Sequence, residues 1–132
     1  MRGLDTNILV RYLAADDARQ TALAGHLLEE CQRKEEPLFL PVLVLCEVVW
    51  VLNRRYGQSK AQIAQALERI LSMQLLRFEH ETLVRRSLAA YQAGKADFPD
   101  YLMGQICLQA GCRDILTFDH DLKGTPGYTM LG

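Results

Sequence analysis

The sequence predicts an α/β fold in which a short parallel sheet is covered by helices on both faces. Short apolar segments suited to buried strands alternate along the chain with longer segments whose apolar residues recur at helical spacing. Strands that alternate with helices in this way pair in parallel and have both faces covered. The 132 residues, 49% apolar and 23% charged, are typical of one globular domain spanning residues 1–132.

Five short strands are predicted from apolar segments that are bounded by proline, glycine or polar residues. They lie at residues 3–5, 38–40, 75–78, 115–118 and 128–131. Pro41 closes the second strand, and a turn at residues 124–127 precedes the last one. In a parallel sheet the ligand site lies beyond the carboxyl ends of the strands, so residues that follow these segments are the first candidates for function.

Six helices are predicted between the strands, and capping residues indicate where they begin. Thr6 or Asn7 is expected to cap the first helix, and Ser59 with Gln62 has the pattern of a capping box. Glycines near the helix ends mark where several of them stop. The helices are expected to begin near residues 6, 16–17, 42, 59, 83 and 97.

Composition excludes several classes of protein. The net charge of −1 provides no global basic field for nucleic acid, so any such contact must come from local basic patches. The start of the chain has no signal-peptide pattern, and no apolar run is long enough to span a bilayer. The four cysteines form no C-x-x-C pair, which favours a reducing, cytoplasmic location over a disulfide-bonded one.

Glu47 is the most informative residue because it is the only charged residue in the apolar run at residues 42–52. Such a run is expected to form a buried helix. A carboxylate carried into a core must be paired, neutralised or bound to a metal, since an unpaired buried charge costs several kcal/mol. The alternative to a metal is an ion pair with Arg11 or Arg54.

Three further acids stand beside predicted element ends. Asp5 and Asp119 follow strands, and Asp100 lies in the first turn of a helix. Hard divalent cations such as magnesium prefer oxygen ligands and need only a few carboxylates. A cation held by Asp5, Glu47, Asp100 and Asp119 would relieve the mutual repulsion of these acids, and could acidify a water molecule for phosphodiester hydrolysis.

Each acid also has a purely structural interpretation. Asp5 can close a strand-to-helix turn, and Asp100 can interact with the helix dipole. Asp119 can be an ordinary solvated loop residue. Asp97 is expected to be a helix N-cap and, at most, an outer ligand.

Three short polar side chains lie next to the acids in the sequence. Thr6, Asn7 and Thr117 can orient a carboxylate or hold a metal-bound water, or they can serve only as caps and strand residues. His120 has no zinc-like partners at ligand spacing, so a zinc site is not expected.

Four segments, each containing one of the acids, occur in an order that strongly resembles the PIN domain and, within it, the VapC-type toxins of bacterial toxin–antitoxin pairs. The segments are Leu4-Asp5-Thr6-Asn7, Glu47-Val48-Val49-Trp50-Val51-Leu52, Asp97-Phe98-Pro99-Asp100-Tyr101-Leu102 and Leu116-Thr117-Phe118-Asp119. The resemblance covers nearly the whole chain. It implies a three-layer α/β/α sandwich with a short, mainly parallel central sheet.

The resemblance also implies an activity and partners. It implies a metal-dependent endoribonuclease whose catalytic and metal-binding acids are Asp5, Glu47, Asp100 and Asp119, with Mg or Mn as the cation. Thr6, Asn7, Asp97 and Thr117 would assist. It further implies a homodimer and a cognate VapB-like antitoxin that lays a peptide over the acidic pocket. The residues Tyr101-Leu102-Met103-Gly104 depart from the smaller aliphatic residues common in relatives.

Two other functions remain open at this point. The same fold without chemistry would be an RNA-binding or protein-interaction module, and acids at the rim of a sheet are also found in phosphoacceptor signalling domains. Substituting the acids separates catalysis from binding alone. For contact with RNA phosphates, the exposed basic candidates are Arg54, Arg55, Arg85 and Arg86. The RNA target leaves little trace in a single sequence.

Overall fold

The computed structural model describes residues 1–132 as two compact units, Met1–Glu81 and Thr82–Gly132. Five strands and six α-helices alternate along the chain, with one short 3₁₀ turn near the end. No helix is both long enough and apolar enough to cross a membrane. The expectation of a single domain over residues 1–132 stays a prediction.

The first unit contains a three-stranded parallel sheet with strand order β1-β2-β3. The backbone register places Gly3 beside Phe39 and Leu40 beside Phe78, so the three strands end at one edge of this sheet. The elements of this unit are β1 (Arg2–Gly3), α1 (Thr6–Ala14), α2 (Ala18–Arg33), β2 (Leu38–Leu40), α3 (Val42–Arg54), α4 (Lys60–Leu71) and β3 (Leu76–Phe78).

Helix α3 is buried on one face only, although its sequence is almost entirely apolar. Leu45, Val48 and Leu52 are completely buried, whereas Leu43 and Trp50 are 62% and 47% exposed. The helix therefore has a core face and a solvent face. The same core includes Leu9, Leu40 and Ile70, which are also completely buried. Burial of apolar area of this kind, at roughly 25 cal/mol per Å², is the main force that holds the unit together.

The second unit contains a separate two-stranded parallel sheet and two helices. Phe98 at the start of the second helix is completely buried, and its ring meets the Tyr91 ring edge-on with centroids 6.1 Å apart. The elements are α5 (Glu81–Ala93), α6 (Phe98–Gln109), β4 (Ile115–Thr117), the 3₁₀ turn (His120–Leu122) and β5 (Tyr128–Met130).

The structure confirms the predicted α/β fold of helices and short parallel strands, with corrections at element ends. The first strand ends at Gly3 rather than at Asp5, and Asp5 instead of Thr6 or Asn7 caps α1. The fourth strand ends at Thr117. The capping box of Ser59 and Gln62 is present as predicted.

Candidate active site

Asp5 lies immediately before α1, two residues beyond the end of β1. The extended backbone of Asp5 lets its side chain turn back onto the helix, where Oδ1 accepts a 2.7 Å hydrogen bond from the Thr6 N–H. The carboxylate is exposed. Asp5 thus has the capping role that was expected of its neighbours, and its Oδ2 atom remains without a hydrogen bond.

Thr6 connects Asp5 to Glu47. Its side chain is buried, and its Oγ1 donates a 3.0 Å hydrogen bond to Glu47 Oε2. Residues 41 positions apart in the chain are joined by this bond, so Thr6 fixes the direction of the α3 carboxylate. Thr6 therefore contacts both acids within the first unit, Asp5 through its backbone N–H and Glu47 through its hydroxyl. Asn7 is exposed on the next position of α1.

Glu47 differs from the expectation of a core carboxylate. It is half-buried, because it lies on α3 between the core face and the exposed Leu43 and Trp50. The ion pair considered with Arg11 is absent, since Arg11 Nη1 lies 3.0 Å from Asp16 Oδ1. Arg54 also forms no ion pair. Glu47 therefore meets water on one side and Thr6 on the other.

Asp100 is half-buried in the first turn of α6, three residues after the N-cap Asp97. Its Oδ2 accepts a 3.3 Å hydrogen bond from the Asp97 N–H. Burial raises the pKa of Asp100 above its usual range; the hydrogen bond from Asp97 opposes this, and the charges of Asp97 and Asp119 raise the pKa further. The second unit therefore contains acids close enough to influence one another.

Asp119 is exposed two residues after β4 and caps the 3₁₀ turn. Its Oδ1 accepts a 2.9 Å hydrogen bond from the Asp121 N–H. Thr117 supports it, because Thr117 Oγ1 accepts a 3.0 Å hydrogen bond from the Asp119 N–H. Thr117 thus orients the backbone of the acid rather than its carboxylate. His120 is exposed beside it.

The four acids share one feature that their sequence positions did not reveal. In each carboxylate the protein holds one oxygen with a hydrogen bond: Asp5 Oδ1, Glu47 Oε2, Asp100 Oδ2 and Asp119 Oδ1. The second oxygen of each has no hydrogen-bond partner. The bonded oxygen of each carboxylate therefore sets the orientation of that group.

Comparison with known proteins identifies the family. A model of the PIN domain matches residues 4–128, which is almost the entire chain. The chain belongs to the PIN-domain family. This confirms the predicted PIN-like α/β fold and the recognition drawn from the four acidic segments.

A curated protein and a solved structure that are similar to this chain are both named VapC. The chain is 26% identical over 123 residues to a VapC ribonuclease of Aquifex aeolicus, and the match covers 93% of this chain and 90% of that protein. It is also similar to the crystal structure of Mycobacterium tuberculosis VapC20, a toxin that cleaves the sarcin–ricin loop. That match is 22% identical, covers 96% of both chains and has a TM-score of 0.42.

The donor chemistry of the PIN-domain acids suits a hard divalent cation. All four groups are carboxylates with one unpartnered oxygen, and no cysteine or histidine stands among them. Magnesium and manganese prefer such oxygen ligands. The structure forms no group of three or more histidine, cysteine, aspartate or glutamate side chains that could hold a metal ion. The predicted binding of a cation by these four acids therefore stays a prediction.

Glu79 is a structural contributor that sequence reasoning missed. It follows β3, and its Oε1 accepts a 2.9 Å hydrogen bond from the Val42 N–H at the start of α3. Pro41, the N-cap residue of α3, has no side chain that can cap the helix. Glu79 supplies that cap from 37 residues away and thereby positions the helix that carries Glu47.

Removing this remote cap should weaken the first unit. We expect Glu79→Ala to lower the free energy of unfolding by about 0.5–2 kcal/mol, the usual cost of losing an N-cap. Glu79→Gln keeps an oxygen acceptor and should lose much less. Urea unfolding followed by circular dichroism measures both variants, and equal stability of Glu79→Ala and the wild type would contradict the assignment.

Tyr101 packs against the loop before α6. Its hydroxyl oxygen accepts a 3.3 Å hydrogen bond from the Ala96 N–H. A Cβ atom at Gly94 would lie only 1.8 Å from that oxygen, so a larger residue at 94 would force the Tyr101 side chain to shift. Gly94 and Tyr101 are therefore packed as a local pair beside Asp97 and Asp100.

Tyr128 holds the α6 turn that contains Asp100. Its hydroxyl donates a hydrogen bond to the Asp100 carbonyl oxygen, and burial, with a smaller contribution from the Asp100 charge, raises the pKa of Tyr128 to about 12. The raised pKa means that the folded state favours the neutral phenol. The stabilisation is present below the unfolded pKa of about 10 and is lost as the pH rises through about 12.

We therefore expect Tyr128 to titrate well above the usual pKa of a phenol. Ultraviolet titration of phenolate formation should show a last step near pH 12 that disappears in Tyr128→Phe. Unfolding measured over the same range should become easier in the wild type as that step is reached. A last step that survives in Tyr128→Phe would assign it to a different tyrosine.

Proposed function

We propose that this protein is the ribonuclease toxin of a toxin–antitoxin pair and that it hydrolyses RNA phosphodiester bonds with the help of a divalent cation, Mg or Mn. The observation that carries the proposal is the match to the VapC ribonuclease over nine-tenths of both chains, within a PIN domain that spans residues 4–128. Within the first unit, the link from Asp5 through Thr6 to Glu47 supports it. A protein that only binds a polyanion gains nothing from four unneutralised carboxylates.

In this proposal the acids act in the same reaction. Asp5, Glu47, Asp100 and Asp119 would hold the cation through the oxygens that lack hydrogen bonds, and the bound cation would acidify water and stabilise charge on the phosphate. Thr6 keeps Glu47 oriented through the 3.0 Å hydrogen bond, so that little reorganisation is needed when a ligand binds. Thr117 Oγ1 accepts from the Asp119 N–H and so holds the backbone of that acid, and the Asp97 N–H donates to the Asp100 carboxylate and so holds its side chain.

The partners follow from the same proposal. The substrate is RNA, and an antitoxin of the VapB type is expected to bind the acidic pocket and stop cleavage. A homodimer and a cytoplasmic location stay predictions. Arg54, Arg55, Arg85 and Arg86 are all exposed and remain the candidates for phosphate contact.

Metal removal tests the chemical part of the proposal. The purified chain, treated with EDTA and dialysed, should not cleave total RNA, and addition of Mg or Mn should restore cleavage. Calcium is a useful control, because it also binds carboxylates but has a different size and coordination. Unchanged cleavage in the chelated protein would overturn the metal mechanism and leave the family assignment untouched.

A further inference from the structure

Trp50 is a large aromatic side chain that lies partly in solvent on α3. It is 47% exposed, although the neighbouring core positions Val48, Val49 and Leu52 are buried. An indole ring is the largest apolar side chain, and leaving half of it in water forgoes the stabilisation that its burial would bring. A large aromatic group held at the surface is typical of a recognition site rather than of a core.

The position of Trp50 places it next to the candidate active site. Glu47, Trp50 and Arg54 are separated by three and four residues, so they lie along one face of α3. At about 1.5 Å of rise per residue, Trp50 is about 4.5 Å and Arg54 about 10.5 Å farther along the helix than Glu47. The face therefore presents an acid, an aromatic ring and a cation in succession.

This order of groups matches a single strand of RNA better than it matches a second protein. A nucleotide offers a flat base for stacking and a phosphate for a cation, and single-strand binding proteins combine aromatic side chains with basic groups in this way. Arg55 adds a second exposed cation at the same end of α3. A protein interface would instead exclude charges from its centre, whereas here Glu47 separates Trp50 from Leu43, the other exposed apolar residue of the face.

We propose that Trp50 is a positioning residue that stacks on an unpaired base of the RNA substrate beside the scissile phosphate, with Arg54 holding a neighbouring phosphate. This inference rests on the proposed ribonuclease activity and adds the form of RNA that is bound. Trp50 takes no part in the chemical step. Its contribution is to hold one nucleotide so that the adjacent phosphate reaches the acids.

The chain contains one tryptophan, so intrinsic fluorescence reports Trp50 alone. We would titrate the full-length Asp5→Asn variant, in which cleavage is expected to be blocked, with a single-stranded oligo(rA) of about twelve nucleotides and with a duplex RNA of the same length. Saturable quenching by the single strand, with clearly weaker binding of the duplex, is the expected result.

Substitution of Trp50 gives the second measurement. In the same Asp5→Asn background, anisotropy of the labelled oligonucleotide should show binding weakened roughly 5- to 150-fold in Trp50→Ala and much less in Trp50→Phe, which keeps an aromatic face. With cleavage active, Trp50→Ala should raise KM more than it lowers kcat. Leu23→Ala, which removes another exposed apolar side chain from α2, is the matched control and should bind normally.

The outcomes separate this inference from the proposed function. If RNA saturates the protein without changing Trp50 fluorescence, or if Trp50→Ala binds as well as the parent, the inference is wrong even where the wild type cleaves RNA. The inference is also overturned if Trp50 packs against a second copy of this chain. Fluorescence that changes with protein concentration alone, together with a changed oligomeric state in Trp50→Ala, would show this. Stacking in a wild type that cannot cleave RNA would instead contradict the proposed function alone.

Discussion

Asp5→Asn should reduce RNA cleavage by roughly 10²-fold to 10³-fold while leaving the fold intact, the usual effect of removing one group that stabilises charge in a transition state. The substitution separates the charge of Asp5 from its structural role, because Asp5 is also the N-cap of α1. Asparagine caps helices about as well as aspartate, so its Oδ1 can still accept from the Thr6 N–H. What changes is the negative charge and the oxygen that has no hydrogen bond.

Two comparisons decide how that loss is interpreted. Asp17→Asn makes the same change at the N-cap of α2, outside the candidate site, and should cleave RNA normally. Glu47→Gln should lose activity to a similar extent, and the double variant should lose little more than the worse single one, since groups that act as a unit are not additive. An Asp5→Asn protein that stays folded and cleaves RNA at the wild-type rate would favour the non-catalytic RNA-binding or protein-interaction module.

The same reasoning extends to the second unit. Asp100→Asn and Asp119→Asn should each impair cleavage, and combination with Asp5→Asn should again be non-additive if one reaction uses all four acids. Additive losses would indicate that the acids of the second unit contribute through stability or RNA binding. Comparing the single and the combined variants therefore shows whether Asp100 and Asp119 take part in the same reaction as Asp5.

Local patterns allowed much of the fold to be predicted. Ser59 and Gln62 are three residues apart, so the capping box depends on spacing that is visible in the sequence. The N-cap of the first helix was harder to predict, because Asp5, Thr6 and Asn7 can all act as N-caps. The choice is made by β1, where the Leu4 N–H donates to the Phe39 carbonyl oxygen and leaves Asp5 as the first residue free to turn.

The environment of Glu47 was predicted less well, for a physical reason. A helix directs its side chains all around its axis, so a mostly apolar helix of 13 residues does not have to be buried on every side. Because Glu47 is the only charged residue among residues 42–52, composition suggested that it lies in the core. Only the exposure of Leu43 and Trp50 reveals the solvent face.

Glu79 had no sequence signal at all. Its bond to the Val42 N–H joins a side chain at the end of one strand to the start of a helix 37 residues earlier. Capping patterns are recognised at spacings of two or three residues, and Pro41 gave no indication that its helix was capped from elsewhere. Contacts between distant parts of the chain become visible only when the sheet register is known.

Phe98→Ala should be the most destabilising single substitution considered for the second unit, with an expected loss of about 3–5 kcal/mol. Phe98 is completely buried and is the largest side chain with so little exposure. Its replacement removes apolar contact area and leaves a cavity that close-packed neighbours fill only in part. The edge-on contact with the Tyr91 ring, 6.1 Å between centroids, is lost as well.

The consequence reaches the candidate site because Phe98 is the first residue of α6, two positions before Asp100. A loss of this size is a large fraction of the 5–15 kcal/mol that stabilises a typical domain, so Asp100 would be held less firmly even in molecules that remain folded. Urea unfolding measures the loss, and Phe98→Leu, which keeps most of the apolar volume, should cost much less. A Phe98→Ala loss below about 1 kcal/mol would mean that this ring does not anchor the start of α6.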